Sequence, residues 1–225
     1  MKTKTIVLNN IAQTFKLIPE GDYVMGSPES EAGRYSSEIQ HDVHVNEFWM
    51  ADTTVTQALW EAVMGDNPSF FKNENNPVET VSWNDVNKFI ENANELLKDQ
   101  GLEVGLPTEE EWEYACRAGT ATAFSFGDSI TTDQVNYVGN YPPSGEEKIA
   151  YRARTVPVKS LPANPWGLYE MHGNVWEWCK DKYAEYKVES PSKTIRDLQN
   201  EIIAINAKKY DLINELKALV ARAEL

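Results

Sequence analysis

The sequence predicts an α+β domain with much irregular structure, followed by a long separate helix. Short stretches near the start alternate apolar and polar residues, which is typical of strands in small sheets. Three later segments predict helices: one carries apolar residues on a single helical face, one begins with an N-capping residue and carries apolar side chains every three or four positions, and a short one begins with a capping box. Beyond Pro191 glycine, proline and tryptophan no longer occur, and a heptad-like pattern replaces them.

Length and charge bound the organisation and the partners. The 225 residues suit one domain over 1–189 and an appendage over 190–225. A net charge of -14 argues against nucleic acid or an anionic membrane as a partner. Residues 1–10 lack an apolar run of signal-peptide length, no stretch is long enough to span a bilayer, and only two cysteines occur. We therefore expect a cytoplasmic protein.

The first fifty residues predict strands. Apolar alternation on both sides of the turn formers at 19–22 predicts a hairpin over residues 14–26. A further strand is predicted from Val43 to Met50. His41 and His44 would point to opposite faces of that strand, so they are not expected to share a metal ion.

Three helices follow in the prediction. The first covers residues 56–64 and ends at Gly65. Ser82 is a good N-cap for the second, which runs to Leu97, and Thr108 with Glu111 forms a capping box for a third, short helix. That third helix contains Cys116, which we interpret as a small buried hydrophobic residue. Residues 119–164 predict long irregular loops.

The tail has a heptad pattern over about four repeats. Its apolar positions are Ile195, Leu198, Ile202, Ile205, Leu212, Leu216 and Leu219. Such a coiled-coil-like helix predicts self-association into an oligomer, or pairing with a protein partner, through residues 195–223. The alternative is a helix that lies on its own domain.

The stretch from 165 to 179 has the densest aromatic content in the chain. It holds three tryptophans and a tyrosine, while Gly167, Gly173 and Asn174 permit tight turns. Glu170 and Glu177 lie among these apolar neighbours, where a charge must be paired or must coordinate a cation.

This stretch resembles the signature of the sulfatase-modifying-factor family, the domain of formylglycine-generating enzymes and their non-catalytic relatives. Three further segments, 23–26, 76–83 and 106–115, resemble the family's other motifs in the same order. The resemblance implies a C-type-lectin-like, formylglycine-generating-enzyme fold. The family's motifs that follow the signature do not occur here, and Gly105 stands where relatives usually have an arginine.

The resemblance also bears on copper. Formylglycine-generating members bind copper through two cysteines that follow the signature, and thiolates suit the soft cuprous ion. Here Cys116 and Cys179 match scaffold positions of the motifs instead. Copper is therefore not expected, and the resemblance assigns no catalytic or cofactor-binding residue to this chain.

Calcium is the metal that the resemblance implies. Relatives bind it through positions that correspond here to Glu170, Gly173, Val175 and Glu177, and oxygen ligands suit this ion. Alternatively, Glu177 bonds turn amides and Glu170 is solvated. A second family site would use the residues Asn136 and Tyr137, but equal spacing places Ala150 where relatives have an acid.

Three functions are compatible with these observations. The leading hypothesis is a non-catalytic ligand- or protein-recognition module with a helical tail for assembly, because lectin-like scaffolds present binding loops on a rigid core. Retroelement variable proteins are relatives that use this fold for binding. One alternative is a copper-dependent oxidase that converts a protein cysteine to formylglycine, and another is a structural subunit of a larger complex.

Overall fold

The computed structural model of the protein describes residues 1–138 and 151–184, together with the single residues Tyr186 and Lys209. Met1–Ala184 form one compact unit and Glu185–Leu225 a second. Within the first 138 residues the chain forms five strands and three α-helices: β1 (Thr3–Leu8), β2 (Ile11–Ile18), β3 (Gly21–Met25), β4 (His41–Val45), β5 (Phe48–Ala51), α1 (Gln57–Met64), α2 (Trp83–Leu97) and α3 (Glu109–Arg117). A single 3₁₀ turn, Lys98–Gln100, follows α2.

The larger sheet is antiparallel with the strand order β1-β2-β5. A tight turn at Asn9 and Asn10 joins β1 to β2, and both residues have positive φ, 45° and 70°. Asparagine tolerates this conformation, which the type I′ form of a two-residue hairpin turn requires at both positions. The strand β2 is therefore central, with β1 on one edge and β5 on the other.

The smaller sheet pairs β3 with β4. The predicted hairpin over residues 14–26 is therefore wrong, because β2 and β3 belong to different sheets. Both edges of β2 are already occupied by β1 and β5, so the chain leaves the first sheet at Pro19. The stretch that predicts one strand from Val43 to Met50 likewise forms two strands, β4 and β5, one in each sheet.

The predicted helix starts are confirmed. Thr56, Ser82 and Thr108 are the N-caps of α1, α2 and α3, and each side chain accepts a hydrogen bond from a backbone amide of the first turn. Asp85 and Glu111 complete capping boxes on α2 and α3. Each of these helix N-termini depends on residues that are three positions apart, so the sequence alone was sufficient to locate it.

The main apolar core lies between the larger sheet and the first two helices. The rings of Trp60 and Phe89 stack with their centroids 5.0 Å apart at its centre. Its buried members are Ile6, Leu8, Leu59, Trp60, Phe89, Ala93 and Leu97. The core thus joins β1, α1 and α2 through residues that alternate along the strand and recur every three or four positions along α2.

Loops make up the rest of the described chain. Neither 118–138 nor 151–184 contains a named helix or strand, which confirms the prediction of irregular structure for the parts of 119–164 that are described. The predicted helix over 195–223 lies outside the described residues except for Lys209. In the described part of the chain, no helix has the length and apolar character needed to cross a bilayer.

Candidate functional site

One buried side chain closes the loop that leads into the aromatic stretch. Asn164 Nδ2 donates to the carbonyls of Ala115 and Cys116, at 2.8 and 3.3 Å. These carbonyls lie at the end of α3, where backbone acceptors have no partner within the helix. Asn164 Oδ1 accepts the amides of Trp166 and Leu168, at 3.0 and 3.1 Å. The loop is thereby fixed to the end of α3.

Glu170 is buried in the turn that follows. Its φ is 56°, and its Oε2 accepts the amide of Lys159 at 3.2 Å. Burial raises the pKa of Glu170, while the backbone amides of Lys159, Ser160 and Leu161 and the Lys159 charge oppose that shift. Its other oxygen, Oε1, is buried without a hydrogen-bond partner. A buried carboxylate oxygen of this kind is a position where a cation would be stabilised.

Gly173 packs directly against Asn136. A β-carbon at Gly173 would lie 2.5 Å from the Asn136 carbonyl oxygen, so no larger residue fits without a backbone shift. Asn174 then crosslinks the loops: its amide donates to the Asn136 carbonyl at 2.8 Å, and its side chain bonds both the amide and the carbonyl of Val156. The structure therefore brings the two predicted sets of metal-binding residues side by side.

Asn136 and Tyr137 have other partners in this arrangement. Asn136 Nδ2 donates to the carbonyl of Arg154 at 2.9 Å and to Asn174 Oδ1 at 3.0 Å. The hydroxyl of Tyr137 donates to the carbonyl of Ile130 at 3.2 Å. Both residues hold loops together, and their calcium role stays a prediction.

Glu177 receives its hydrogen bond from α3. Trp112 Nε1 donates to Glu177 Oε2 at 3.0 Å. Burial raises the pKa of Glu177 to about 7, the negative charge of Glu170 acts in the same direction, and the Trp112 hydrogen bond opposes the shift. The alternative in which Glu177 bonds turn amides and Glu170 is solvated does not match these partners. Glu170 is the buried carboxylate that accepts a backbone amide, whereas Glu177 accepts the indole N–H of Trp112.

The residues of the predicted calcium set thus lie in one neighbourhood. In the described part of the chain, no three acidic, histidine or cysteine side chains cluster closely enough to hold a metal ion. A cation here would need backbone carbonyls beside Glu170 and Glu177. His41 and His44 have separate partners, the carbonyl of Ile39 and the carboxylate of Asp22.

An apolar cavity of about 410 Å³ opens beside Glu177. That volume falls in the range typical of ligand pockets. Three tryptophans line the cavity and are themselves exposed to solvent: Trp176 is 101 % exposed, Trp178 47 % and Trp49 42 %. Its charged lining residues are Glu111 and Glu177, and it contains no thiol. Exposed aromatic surface next to a cavity is typical of interaction sites.

His172 is held by hydrogen bonds to Ser125 and lies against Cys116. Its Nε2 accepts the amide of Ser125 at 3.0 Å and lies 2.9 Å from the Ser125 hydroxyl. Its Nδ1 lies 3.5 Å from Cys116 Sγ. Burial, with a contribution from the Arg117 charge, lowers the pKa of His172 to about 4. The imidazole is therefore neutral near pH 7 and serves as a hydrogen-bonding group.

The two cysteines do not fit a shared copper ion. Cys116 donates to the carbonyl of Met171 at 3.4 Å near the end of α3, and burial raises the pKa of its thiol. Cys179 neighbours the start of α3, and burial together with the negative charge of Glu109 raises its pKa to about 11. Glu109, the neighbour of Cys179, lies seven positions before Cys116 on α3, a separation of roughly 10 Å along the helix. The raised pKa values also disfavour the thiolate forms that bind copper.

Several partners in this region are not predictable from local patterns. Trp112 lies 65 residues from Glu177, and Ser125 lies 47 residues from His172. The sequence predicted Asn174 only as a turn-forming residue. No pattern in the sequence predicts the hydrogen bonds between its side chain and the backbone of Val156, which link the two loops.

The small sheets, the capped helices and the loops that carry Glu170 and Gly173 define a domain of the formylglycine-generating-enzyme fold. A family model described as a sulfatase-modifying factor enzyme 1-like domain matches residues 7–213. The chain belongs to this family.

Individual relatives differ in what they are named for. The chain is 32% identical over 200 residues to chaperone protein LppX of Paenibacillus barcinonensis, covering 72% of this chain and 71% of that protein. It is 32% identical over 158 residues to the formylglycine-generating enzyme of Mus musculus, covering 66% of this chain but only 39% of the enzyme. Treponema denticola variable protein 1 has a similar structure, with a TM-score of 0.70 and 26% identity over 84% of this chain and 80% of that one.

Proposed function

We propose that the protein is a non-catalytic module for recognising a ligand or another protein, built on the formylglycine-generating-enzyme scaffold. The observation that carries this proposal is the apolar cavity with Trp49, Trp176 and Trp178 at its walls. Aromatic side chains exposed in this way provide binding area with little loss of side-chain freedom. The structural similarity to a variable protein agrees with a binding role.

The alternative is copper-dependent oxidation of a protein cysteine to formylglycine. Relatives named for that activity favour it, although the chain spans less than half of their length, 39% of the mouse enzyme and 47% of the enzyme from Thermomonospora curvata. Against it stand the positions of Cys116 and Cys179, which are near opposite ends of α3 and have raised pKa values.

Mass spectrometry distinguishes the two functions. A Cys-x-Pro-x-Arg peptide is incubated aerobically with copper-loaded protein and a thiol reductant, and an active formylglycine-generating enzyme serves as the positive control. We expect the peptide cysteine to remain intact with this protein. Conversion to the aldehyde above a no-protein control would refute the non-catalytic proposal.

Calcium would have a structural role in this proposal. Glu170 and Glu177, with the carbonyls of Gly173 and Val175, are the residues that would hold the ion. Its positive charge would offset the repulsion between the two carboxylates and would satisfy the orphaned Oε1 of Glu170. A ligand that binds only the folded state raises its stability.

Thermal unfolding with millimolar calcium or EDTA tests this role. We expect calcium to raise the Tm of the natural chain and to leave that of Glu170→Gln unchanged. Glu91→Gln, on the exposed face of α2, is the matched control and should keep the calcium response. An equal response of all three proteins would exclude Glu170 as a ligand.

The tail would assemble the module with itself or with a partner helix through residues 195–223. A third possibility, a purely structural subunit, makes the same use of this tail. A stop codon after Glu189, followed by sedimentation analysis and binding measurements, separates them. Loss of assembly with retained binding supports the recognition module, whereas loss of every measurable interaction supports the structural subunit.

A further inference from the structure

The cavity meets the larger sheet along an exposed strand edge. Successive side chains of a strand point to opposite faces, so a cavity on one face contacts alternate residues. This holds for β1, which contributes Ile6 and Leu8, and for β2, which contributes Gln13 and Phe15. By contrast, all four residues of β5, Phe48–Ala51, line the cavity. The cavity therefore extends around the edge of β5 and borders its backbone.

The hydrogen-bond pattern shows which backbone groups face that edge. In an antiparallel pair, the residues bonded to one neighbour alternate with residues whose groups face the other way. The amide of Asp52 donates to the carbonyl of Thr14 at 2.9 Å, so Asp52 and, two residues back, Met50 face β2. Trp49 and Ala51 consequently direct their amides and carbonyls away from β2. No hydrogen bond to these four groups occurs within the described part of the chain.

A second backbone stretch also contributes consecutive residues to the cavity. All four residues 175–178, with Trp176 and Trp178 among them, are lining residues. The cavity is thus an apolar slot that, within the described part of the chain, is bordered by the unpaired edge of β5 and by residues 175–178. An edge strand with unpaired amides and carbonyls is a template for pairing with another extended segment.

The charges of the slot have one sign. Glu111 and Glu177 are its charged lining residues, and the whole chain carries a net charge of -14. An apolar segment that also carries a lysine or arginine is complementary to such a slot, because a buried carboxylate is stabilised by a cationic donor.

We propose that the slot beside β5 binds an extended peptide segment of a partner protein, which adds as a strand to β5, places apolar side chains in the cavity and directs a basic residue to Glu111 and Glu177. This inference rests on the proposed recognition function and specifies its ligand. Main-chain hydrogen bonds to Trp49 and Ala51 would supply affinity, and the basic residue would supply specificity. A compact small molecule would leave the strand edge unpaired.

Isothermal titration calorimetry with defined peptides tests the proposal, in EDTA so that cations do not compete. The probe is an acetylated and amidated hexapeptide, Val-Thr-Val-Thr-Arg-Thr, in which the arginine lies on the same face of the extended chain as both valines. One control peptide replaces arginine with neutral citrulline, and another carries N-methyl groups on alternate backbone amides. We expect the arginine peptide to bind about tenfold more tightly than the citrulline peptide and the N-methylated peptide not to bind.

Variants of the protein locate the peptide. Glu111→Gln keeps the capping box, since glutamine also serves there, but removes a charge from the slot. It should reduce the arginine-to-citrulline preference, whereas Glu110→Gln, exposed on the same helix and absent from the slot, should not. Ala51→Pro removes an outward amide without breaking a bond to β2 and should weaken binding of both peptides, whereas Ala51→Ser should retain it.

Hydrogen exchange on the natural chain provides a readout that needs no variant. The amides of Trp49 and Ala51 should become protected when the arginine peptide binds. Equal binding of the N-methylated peptide, or binding without protection of these amides, overturns strand addition. Protection without added peptide that increases with protein concentration assigns the slot to a second copy of this chain instead. None of these outcomes depends on cysteine oxidation, so the proposed function is tested separately.

Discussion

The two parts of the described domain are stabilised in different ways. Residues 1–117 contain all five strands and all three helices that are described in the first 138 residues, and backbone groups pair mainly with one another. Residues 118–138 and 151–184 contain no such element, and buried or partly buried side chains such as Asn164, His172 and Asn174 pair with the backbone instead. The predicted calcium residues lie in this second part. Single substitutions should therefore have larger effects there than at the helix caps.

Asn164→Ala should have the largest effect. The substitution removes four side-chain hydrogen bonds and leaves carbonyls of α3 and amides of the loop unpaired in a buried place. We expect the free energy of unfolding to fall by about 4 kcal/mol in urea denaturation. Asn87→Ala, which removes one bond to the carbonyl of Trp83, is the matched control and should lower it by about 1 kcal/mol. Similar losses for the two would contradict the contrast between the regions.

His172 should make stability depend on pH. Its pKa is lowered to about 4 from the usual 6.5, so between these values the unfolded chain binds a proton that the folded chain lacks. The contribution of the neutral imidazole is therefore fully present above pH 6.5 and is lost as pH falls towards 4. The loss amounts to about 3 kcal/mol at most.

Urea denaturation in EDTA between pH 4.5 and 7.5 measures this dependence. The stability difference between the natural chain and His172→Gln should shrink as the pH falls through that range. Asn87→Ala, which alters no titratable group, is the control and should show a nearly constant difference. A constant difference for His172→Gln would mean that its imidazole can be protonated without disturbing Ser125.

The regular part of the fold was predictable to the extent that its signals are local. Thr56, Ser82 and Thr108 each lie within three residues of the amide that they cap, so the three helix starts were predicted correctly. Strand pairing is not local in this sense. The turn at Asn9 and Asn10, not the one at 19–22, forms the hairpin, because β2 can have only two neighbours and the second is β5.

The sequence predicted which segment contains the candidate site but not which distant residues contact it. The aromatic content of 165–179 and the family resemblance identified Glu170 and Glu177 as unusual carboxylates. Their partners, Trp112 and the amide of Lys159, come from distant parts of the chain, and no spacing in the sequence indicates them. The slot beside β5 also required the structure, since it depends on which strand forms the edge of the sheet.

Gly173→Ala tests the close contact between two loops of the irregular region by adding a single methyl group. The added β-carbon would lie 2.5 Å from the Asn136 carbonyl oxygen, which is backbone and cannot rotate away. We expect a loss of about 2 kcal/mol, as is typical of overpacking. Gly105→Ala is the control, because a β-carbon there meets nothing within 4 Å. A neutral Gly173→Ala would show that the two loops can separate without penalty.

Thr108→Ala should have the smallest effect of this series, because it removes one bond from a regular element. The hydroxyl that accepts the amide of Glu111 is lost, while the Glu111 carboxylate still accepts the amide of residue 108. We expect a loss of about 1 kcal/mol, and Thr108→Ser should recover most of it because serine also caps helices. This helix also carries Trp112, the partner of Glu177. A loss as large as that of Asn164→Ala would therefore mean that fraying of α3 releases Glu177, and that the two regions unfold as one.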